Sequence, residues 1–175
     1  MIKLAMIGMS QGNAHPYSWT AIINGVFSRK EIDQAGFPAV SDYLEANQDT
    51  IGISGVKVTH IYCDNLELAR SIARSGGINT VASEIDDLIG QVDAVILGRD
   101  DPENHLAMAR PFLDAGMPIF IDKPLAVDLD ELKVYESYVD QGRFLMSCSS
   151  MRYAAEVLAA KSSLKKLGDI QLLSI

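Results

Sequence analysis

A doubly wound α/β fold, in which helices cover both faces of a parallel sheet, is what this sequence predicts on three observations. Strand-like and helix-like segments alternate along nearly the whole chain. The strand-like runs, such as "IKLAMIG" (Ile2–Gly8) and "DAVILG" (Asp93–Gly98), are apolar without clean alternation, as strands buried on both faces are. The first of them ends in a turn of small and polar residues, "GMSQGNAHPYSW" (Gly8–Trp19), that leads into a helix, and such sheets bind ligands beside that turn.

The elements follow in order. After Ile2–Gly8 the pattern predicts a helix from about Tyr17 to Val26. An insertion of about Ser28 to Gly55 comes next, with "AVSDYLEANQ" helical inside it. "KVTHIYC" (Lys57–Cys63) is the second strand. The helix "NLELARSIA" then carries Leu66, Ala69, Ile72 and Ala73 on one face, with Gly76 and Gly77 as its stop. "INTVA" reads as a short strand and "EIDDLIG" as a short helix. After "DAVILG" a helix starts near Asp101, capped by it, with Pro102 in the first turn where a missing N–H costs nothing. Pro111 should kink that helix and Gly116 close it. "PIFID" is the next strand. Asp128 caps a helix whose apolar face is Leu129, Leu132, Tyr135 and Val139. "RFLMSCS" and a helix through about Lys166 complete the series, and the chain ends on an apolar strand-like segment, "LGDIQLLSI".

Composition narrows the class. With 175 residues, 48% of them hydrophobic and 22% charged, the chain suits one well-packed globular domain and not comfortably two. Its net charge of −8 would repel a phosphate backbone. Lys161, Lys165 and Lys166 cluster on one helical stretch with no aromatic residue between them, so no nucleic-acid partner is expected. The apolar start is cut short by Gly8 and the polar Ser10–Gln11, and lacks a small-residue cleavage site. No run approaches the ~18 apolar residues of a membrane span. Cys63 and Cys148 both fall in strand-like runs and read as reduced buried thiols, not a disulfide framework. The expected location is the cytoplasm.

Chemistry concentrates where strands end. The dinucleotide fingerprint G-x-G-x-x-G lets backbone approach a pyrophosphate and a helix pack on its strand. This chain offers Gly8, Ser10 and Asn13 in the three places, with an off-register Gly12; serine is small, and asparagine tolerates left-handed backbone. A tight turn that binds nothing is an equal reading of that motif alone. Asp64 ends the second strand, where an acid can accept hydrogen bonds from both ribose hydroxyls of NAD and repel the extra phosphate of NADP. It can equally cap the following helix, and both can hold at once. Asp101 and His105 stand four apart at a helix start, but no third ligand is evident and no metal is assigned. His15 is placed to lean toward the cleft, Trp19 reads as core or insertion packing, and Arg152 as a surface residue.

The segment "NHLAMARPFLDAGMPIFIDKPLAVDLDEL" (Asn104–Leu132) resembles the H-x-x-x-A-x-x-x-L-x-A-G-K-x-V-x-x-E-K-P-L-A block of one family. These are the glucose–fructose oxidoreductase, inositol dehydrogenase and rhizopine-catabolism (Gfo/Idh/MocA) dehydrogenases, and the resemblance covers nearly the whole chain as their N-terminal half. It implies a Rossmann domain over residues 1–149. Residues 150–175 would be the linking helix and first strand of a C-terminal substrate and dimerisation domain whose remainder this chain lacks. Lys123 matches the family lysine that contacts the nicotinamide region and the reacting hydroxyl, and Asp122 stands in for the family's glutamate. Pro124 restricts Lys123 to extended backbone and so directs it. The cofactor residues implied are Gly8, Ser10, Gly12, Asn13, Asp64, Arg99, His105, Asp122 and Lys123, with Lys123 catalytic and no metal.

Three departures accompany the resemblance. The turn lacks two of three glycines, and the family's second domain is missing; Asp100–Asp101 stands in place of the usual Thr-Pro, and two acids near a pyrophosphate would weaken binding unless they point away or Arg99 compensates. The cofactor expected is NAD ahead of NADP, the substrate a sugar or polyol, and the assembly a homo-oligomer. A stand-alone nucleotide-sensing or scaffold module is the competing expectation, and the acids at the turn favour it.

Overall fold

The computed structural model describes residues 1–167. Among them six strands form one parallel sheet: β1 (Ile2–Gly8), β2 (Val56–Cys63), β3 (Thr80–Val81), β4 (Ala94–Leu97), β5 (Ile119–Ile121) and β6 (Leu145–Met146). Their order is β3-β2-β1-β4-β5-β6, so the order reverses between β1 and β4 and a crevice opens at the strand ends there. The predicted doubly wound fold is what the chain adopts.

Two cores, one on each face, follow from the two-residue period of β1. Ala5 and Ile7 point into a cluster with Val95, Leu97, Phe112, Leu113, Ile119, Ile121 and Tyr135. That face is covered by α5 (His105–Asp114) and α6 (Leu129–Asp140). Met6 points the other way, into a cluster with Tyr17, Ala21, Val58, Ile61, Ala69 and Ile72. There the cover is α1 (His15–Asn24) and α4 (Leu66–Gly76).

The insertion completes the second core. It forms α2 (Arg29–Gln34) and α3 (Pro38–Ala46), and contributes the fully buried Ile32 and Leu44. Ser28 caps α2 by accepting from the Glu31 amide at 3.4 Å. The Glu31 carboxylate then receives Nε and Nη2 of Arg74, both at 2.8 Å, and the Ser71 hydroxyl at 2.8 Å. The Tyr17 hydroxyl donates in turn to Ser71 at 2.8 Å. These charge-assisted bonds hold the Glu31 carboxyl down at about 2, below an ordinary 4.5. Because the folded value is the lower one, the stabilisation is complete above pH 4.5 and disappears as pH falls toward 2. Arg74 is more than half exposed, so the contribution should be no more than ~1 kcal/mol. Glu31→Gln is expected to lower the thermal midpoint at pH 7 but not at pH 2, and an equal loss at both would refute this account.

Several local expectations are corrected by packing. α1 begins two residues early, at His15, because Pro16 can occupy its first turn. Asp101 caps nothing: Pro102–Asn104 form a short 3-10 turn before α5, which keeps Pro111 inside it. Asn65, not Asp64, caps α4, accepting from the Glu67 and Leu68 amides at 3.0 and 3.2 Å. On α4, Ala69, Ile72 and Ala73 are buried as expected, but Leu66 is exposed. α6 is capped by Asp128 but packs through Tyr135 and Tyr138, leaving Leu129, Leu132 and Val139 exposed. Apolar spacing marked a stripe on that helix, and the sheet took a different one. After β6 come a 3-10 turn over Ser150–Tyr153 and α7 (Ala155–Leu167). The strand expected in "LGDIQLLSI" lies outside the described residues, apart from Leu167 at the end of α7.

Candidate functional site

β1 ends on Gly8 for a steric reason. A Cβ there would lie 2.5 Å from Cγ of Pro16, so only glycine lets the start of α1 close over the strand. Gly12 carries the left-handed bend at φ +82°, with open space where a side chain would be. Asn13 is not left-handed, contrary to expectation. It is buried, and its Oδ1 accepts from the His15 amide at 2.7 Å, tying the turn to the helix start. The Ser10 hydroxyl donates to the Asp100 carboxylate and accepts from the Asp100 amide at 3.1 Å. The turn therefore leads into the N-terminus of a ten-residue helix whose positive dipole end favours an anion, although its first amides are already engaged, His15 on Asn13 and Tyr17 and Ser18 on the Ala14 carbonyl.

Beside it lies a buried cation. Arg99 leaves the end of β4 and donates Nε and Nη2 to Asp101, at 2.8 and 2.6 Å, and Nη1 to Asp64 beyond the end of β2, at 2.6 Å. The guanidinium holds the Asp101 carboxyl at about 2, well below its ordinary value, against the effect of burial. Asp101 is thus neutralised by Arg99, whereas the exposed Asp100 carboxylate has only the Ser10 hydroxyl against it.

At the end of β5 the two charged neighbours part company. Lys123 is exposed and lines a cleft of about 530 Å³. Asp122 is buried and folds back: Oδ1 accepts from the Lys123 amide at 2.7 Å, and Oδ2 pairs with Nδ1 of His15. Burial pushes the Asp122 carboxyl up, but hydrogen bonds from His15 and the Lys123 amide, with the neighbouring positive charges, outweigh it and leave it lowered. Both residues line the cleft, but the exposed Lys123 presents its charge there while the buried Asp122 anchors the histidine. The His15 ring stacks on Trp19 with centroids 4.3 Å apart, and Trp19 meets Phe120 edge-on at 5.7 Å. Trp19 therefore packs against the second core, as expected, and also forms a cleft wall that Ile96 and Met146 continue.

The remaining expectations sort by burial. His105 does not reach the cleft; it is fully buried, with Nε2 on the Arg99 carbonyl at 3.0 Å. Arg99 is buried too and meets the crevice through its two carboxylates. Arg152 is exposed. Burial pushes the Cys63 thiol up to about 12, so it is inert, while Cys148 lines the cleft. His15 carries more of the site than its sequence signal suggested, because its partner lies 107 residues away. Among the described residues no three His, Cys, Asp or Glu side chains converge as a metal site, and no helix is long and apolar enough to cross a membrane.

A glycine turn feeding a helix N-terminus at the switch point of a parallel sheet, with an acid at the end of β2, defines a dinucleotide-binding domain. Residues 2–147 match the model of the oxidoreductase family with an NAD-binding Rossmann fold (GFO_IDH_MocA), and the chain belongs to that family. It is 33% identical over 107 residues to inositol 2-dehydrogenase 1 of Saccharopolyspora erythraea, covering 59% of this chain and 32% of that protein. Against inositol 2-dehydrogenase/D-chiro-inositol 3-dehydrogenase of Shouchella clausii the identity is 34% over 104 residues, covering 57% and 30%. In fold it resembles scyllo-inositol dehydrogenase of Lactobacillus casei, solved with bound NAD(H) and scyllo-inositol (TM-score 0.70, 18% identity, 97% of this chain and 43% of that one). The myo-inositol dehydrogenase of the same species, solved with NAD(H) and myo-inositol, is comparable (TM-score 0.68, 20% identity, 95% and 42%). The match spans about a third of the two inositol dehydrogenase sequences and less than half of each solved chain.

Proposed function

We propose that this chain is the NAD-binding half of a polyol dehydrogenase, with Lys123 holding the reacting hydroxyl. The observation that carries the reading is Lys123 at the mouth of the cleft, beside His15 fixed on the buried Asp122. The residues fit the cofactor: Gly8 and Gly12 keep the turn clear, that turn and the positive dipole end of α1 would face the pyrophosphate, and Asp64 would receive the adenosine ribose. When bound, NAD supplies a hydride acceptor at its nicotinamide. The chain's own part is to orient and to move a proton. The Lys123 amine, in a partly apolar cleft, can accept the hydroxyl proton of a polyol carbinol. His15, with Nδ1 held by Asp122, keeps Nε2 for a second proton position. A C-terminal domain would close over the substrate and supply the dimer surface. Residues 1–149 would then be the nucleotide domain and 150–175 its link to that second domain. The free Cys63 and Cys148 support a cytoplasmic location, and the net charge of −8 argues against a nucleic-acid partner; a homo-oligomer would follow from the dimer surface of the C-terminal domain.

A second reading, a nucleotide-sensing module without catalysis, is favoured by one feature. The exposed Asp100 carboxylate sits on Ser10, beside the expected pyrophosphate. Asp100→Asn keeps an acceptor for Ser10 and removes that charge. It is expected to tighten NADH binding about three- to tenfold at low salt, measured by nicotinamide fluorescence, and unchanged affinity would remove Asp100 from the anion's surroundings. NAD-dependent oxidation of myo-inositol by the complete protein tests the dehydrogenase reading itself. A complete protein that binds NADH but oxidises no polyol would favour the sensing module.

A further inference from the structure

Among the residues whose side chains are described, Arg99 is the only lysine or arginine that is buried. It starts at the end of β4 and reaches Asp64 at the end of β2, although β1 lies between those strands. The guanidinium therefore spans the crevice beneath the expected adenosine. Its two partners are unequal. Asp101 takes two bonds and is 19% exposed, while Asp64 takes one bond and is 55% exposed. A ligand thus meets Asp64 first, and loss of the Asp64 carboxylate would leave the fork oriented by Asp101 with Nη1 unpaired.

We propose that Arg99 sets the phosphate selectivity of the adenosine corner, with Asp64 acting as the carboxylate that occupies its phosphate-facing edge. With Asp64 in place, the Nη1 edge is engaged and the corner takes an uncharged ribose diol. Without it, the edge is a preformed guanidinium site for a phosphate monoester, the 2′-phosphate of NADP, which a planar fork matches in geometry and charge. The choice of cofactor then belongs to the Arg99–Asp64 pair and not to an acid acting alone. This inference rests on the dinucleotide reading above.

Fluorescence titration with NADH and NADPH of the chain itself, of Asp64→Ser and of Asp64→Ser/Arg99→Met tests it. The unaltered chain should favour NADH. Asp64→Ser should raise NADPH affinity by about ten- to a hundredfold, and adding Arg99→Met should abolish that gain, read as the ratio of NADPH to NADH affinity so that a general loss of dinucleotide binding is separated from a loss of phosphate preference. If the double variant folds poorly, adenosine 2′-phosphate decides on the single one: it should bind Asp64→Ser and not the unaltered chain. An Asp64→Ser variant that still binds NADH and gains nothing toward NADPH overturns the proposal, as does a gain that survives loss of Arg99. An unaltered chain that binds neither dinucleotide refutes the dinucleotide reading, and this proposal with it.

Discussion

Replacing Lys123 by methionine in the complete enzyme proposed above is expected to lower kcat by roughly 10²–10⁴-fold while NADH affinity stays nearly unchanged. Methionine keeps the length and apolar stem and removes the charge and the donors. If Lys123 takes the proton of the reacting hydroxyl, that contact is strongest in the transition state, so kcat falls and ground-state binding does not. A salt bridge at a strand end would behave differently, costing only ~0–1 kcal/mol of stability with turnover intact. Among the described residues Lys123 takes part in no salt bridge. Steady-state kinetics with myo-inositol and NAD, beside an NADH titration, distinguish the two. A folded variant that binds NADH and keeps near-normal kcat ends the catalytic role of Lys123.

Gly8→Ala should destabilise the domain by about 1–3 kcal/mol and weaken NADH binding as well. The added methyl would sit 2.5 Å from Cγ and 3.0 Å from Cβ of Pro16, and a proline ring cannot rotate out of the way. The start of α1 would have to move, and with it the turn expected to face the pyrophosphate. Pro16→Ala in the same chain removes the obstructing ring carbon and should recover much of the stability, which a double-mutant cycle by chemical denaturation would detect. Additive effects of the two changes would show that Gly8 is required for another reason. On this account the first glycine of the turn is demanded by helix-on-strand packing whether or not a dinucleotide is bound.

Part of the site was legible because it is local. Lys123 follows an apolar strand by two residues and precedes a proline, so its position at a strand end can be read directly. Asp64 can be placed at the end of β2 in the same way. The partners of these residues could not be read, since Arg99 lies 35 residues from Asp64 and Asp122 lies 107 from His15. No spacing rule connects such distant positions. They meet because β2, β1, β4 and β5 stand side by side and all end at one edge. His105 shows the converse: its place at a helix start left it facing either the sheet or the cleft, the resemblance implied a cofactor residue, and the close approach of α5 to β4 buried it against the Arg99 carbonyl.

By itself the sequence determined the alternation of strand and helix, the doubly wound class and the strand ends that carry charge. Each depends on the period of apolar residues and on turn chemistry within a few positions. Of the expected face of α6 only Tyr135 is buried, and only the tertiary structure decided that Tyr138, and not Leu129, Leu132 and Val139, joins it as an anchor. It likewise decided that Trp19 walls the cleft, and that Asp64 and Asp101, but not Asp100, are balanced by one buried arginine. The physical reason is common to all three. A side chain's period says which stripe of a helix or face of a strand it belongs to, but burial and pairing depend on which surface the neighbouring element brings against that stripe.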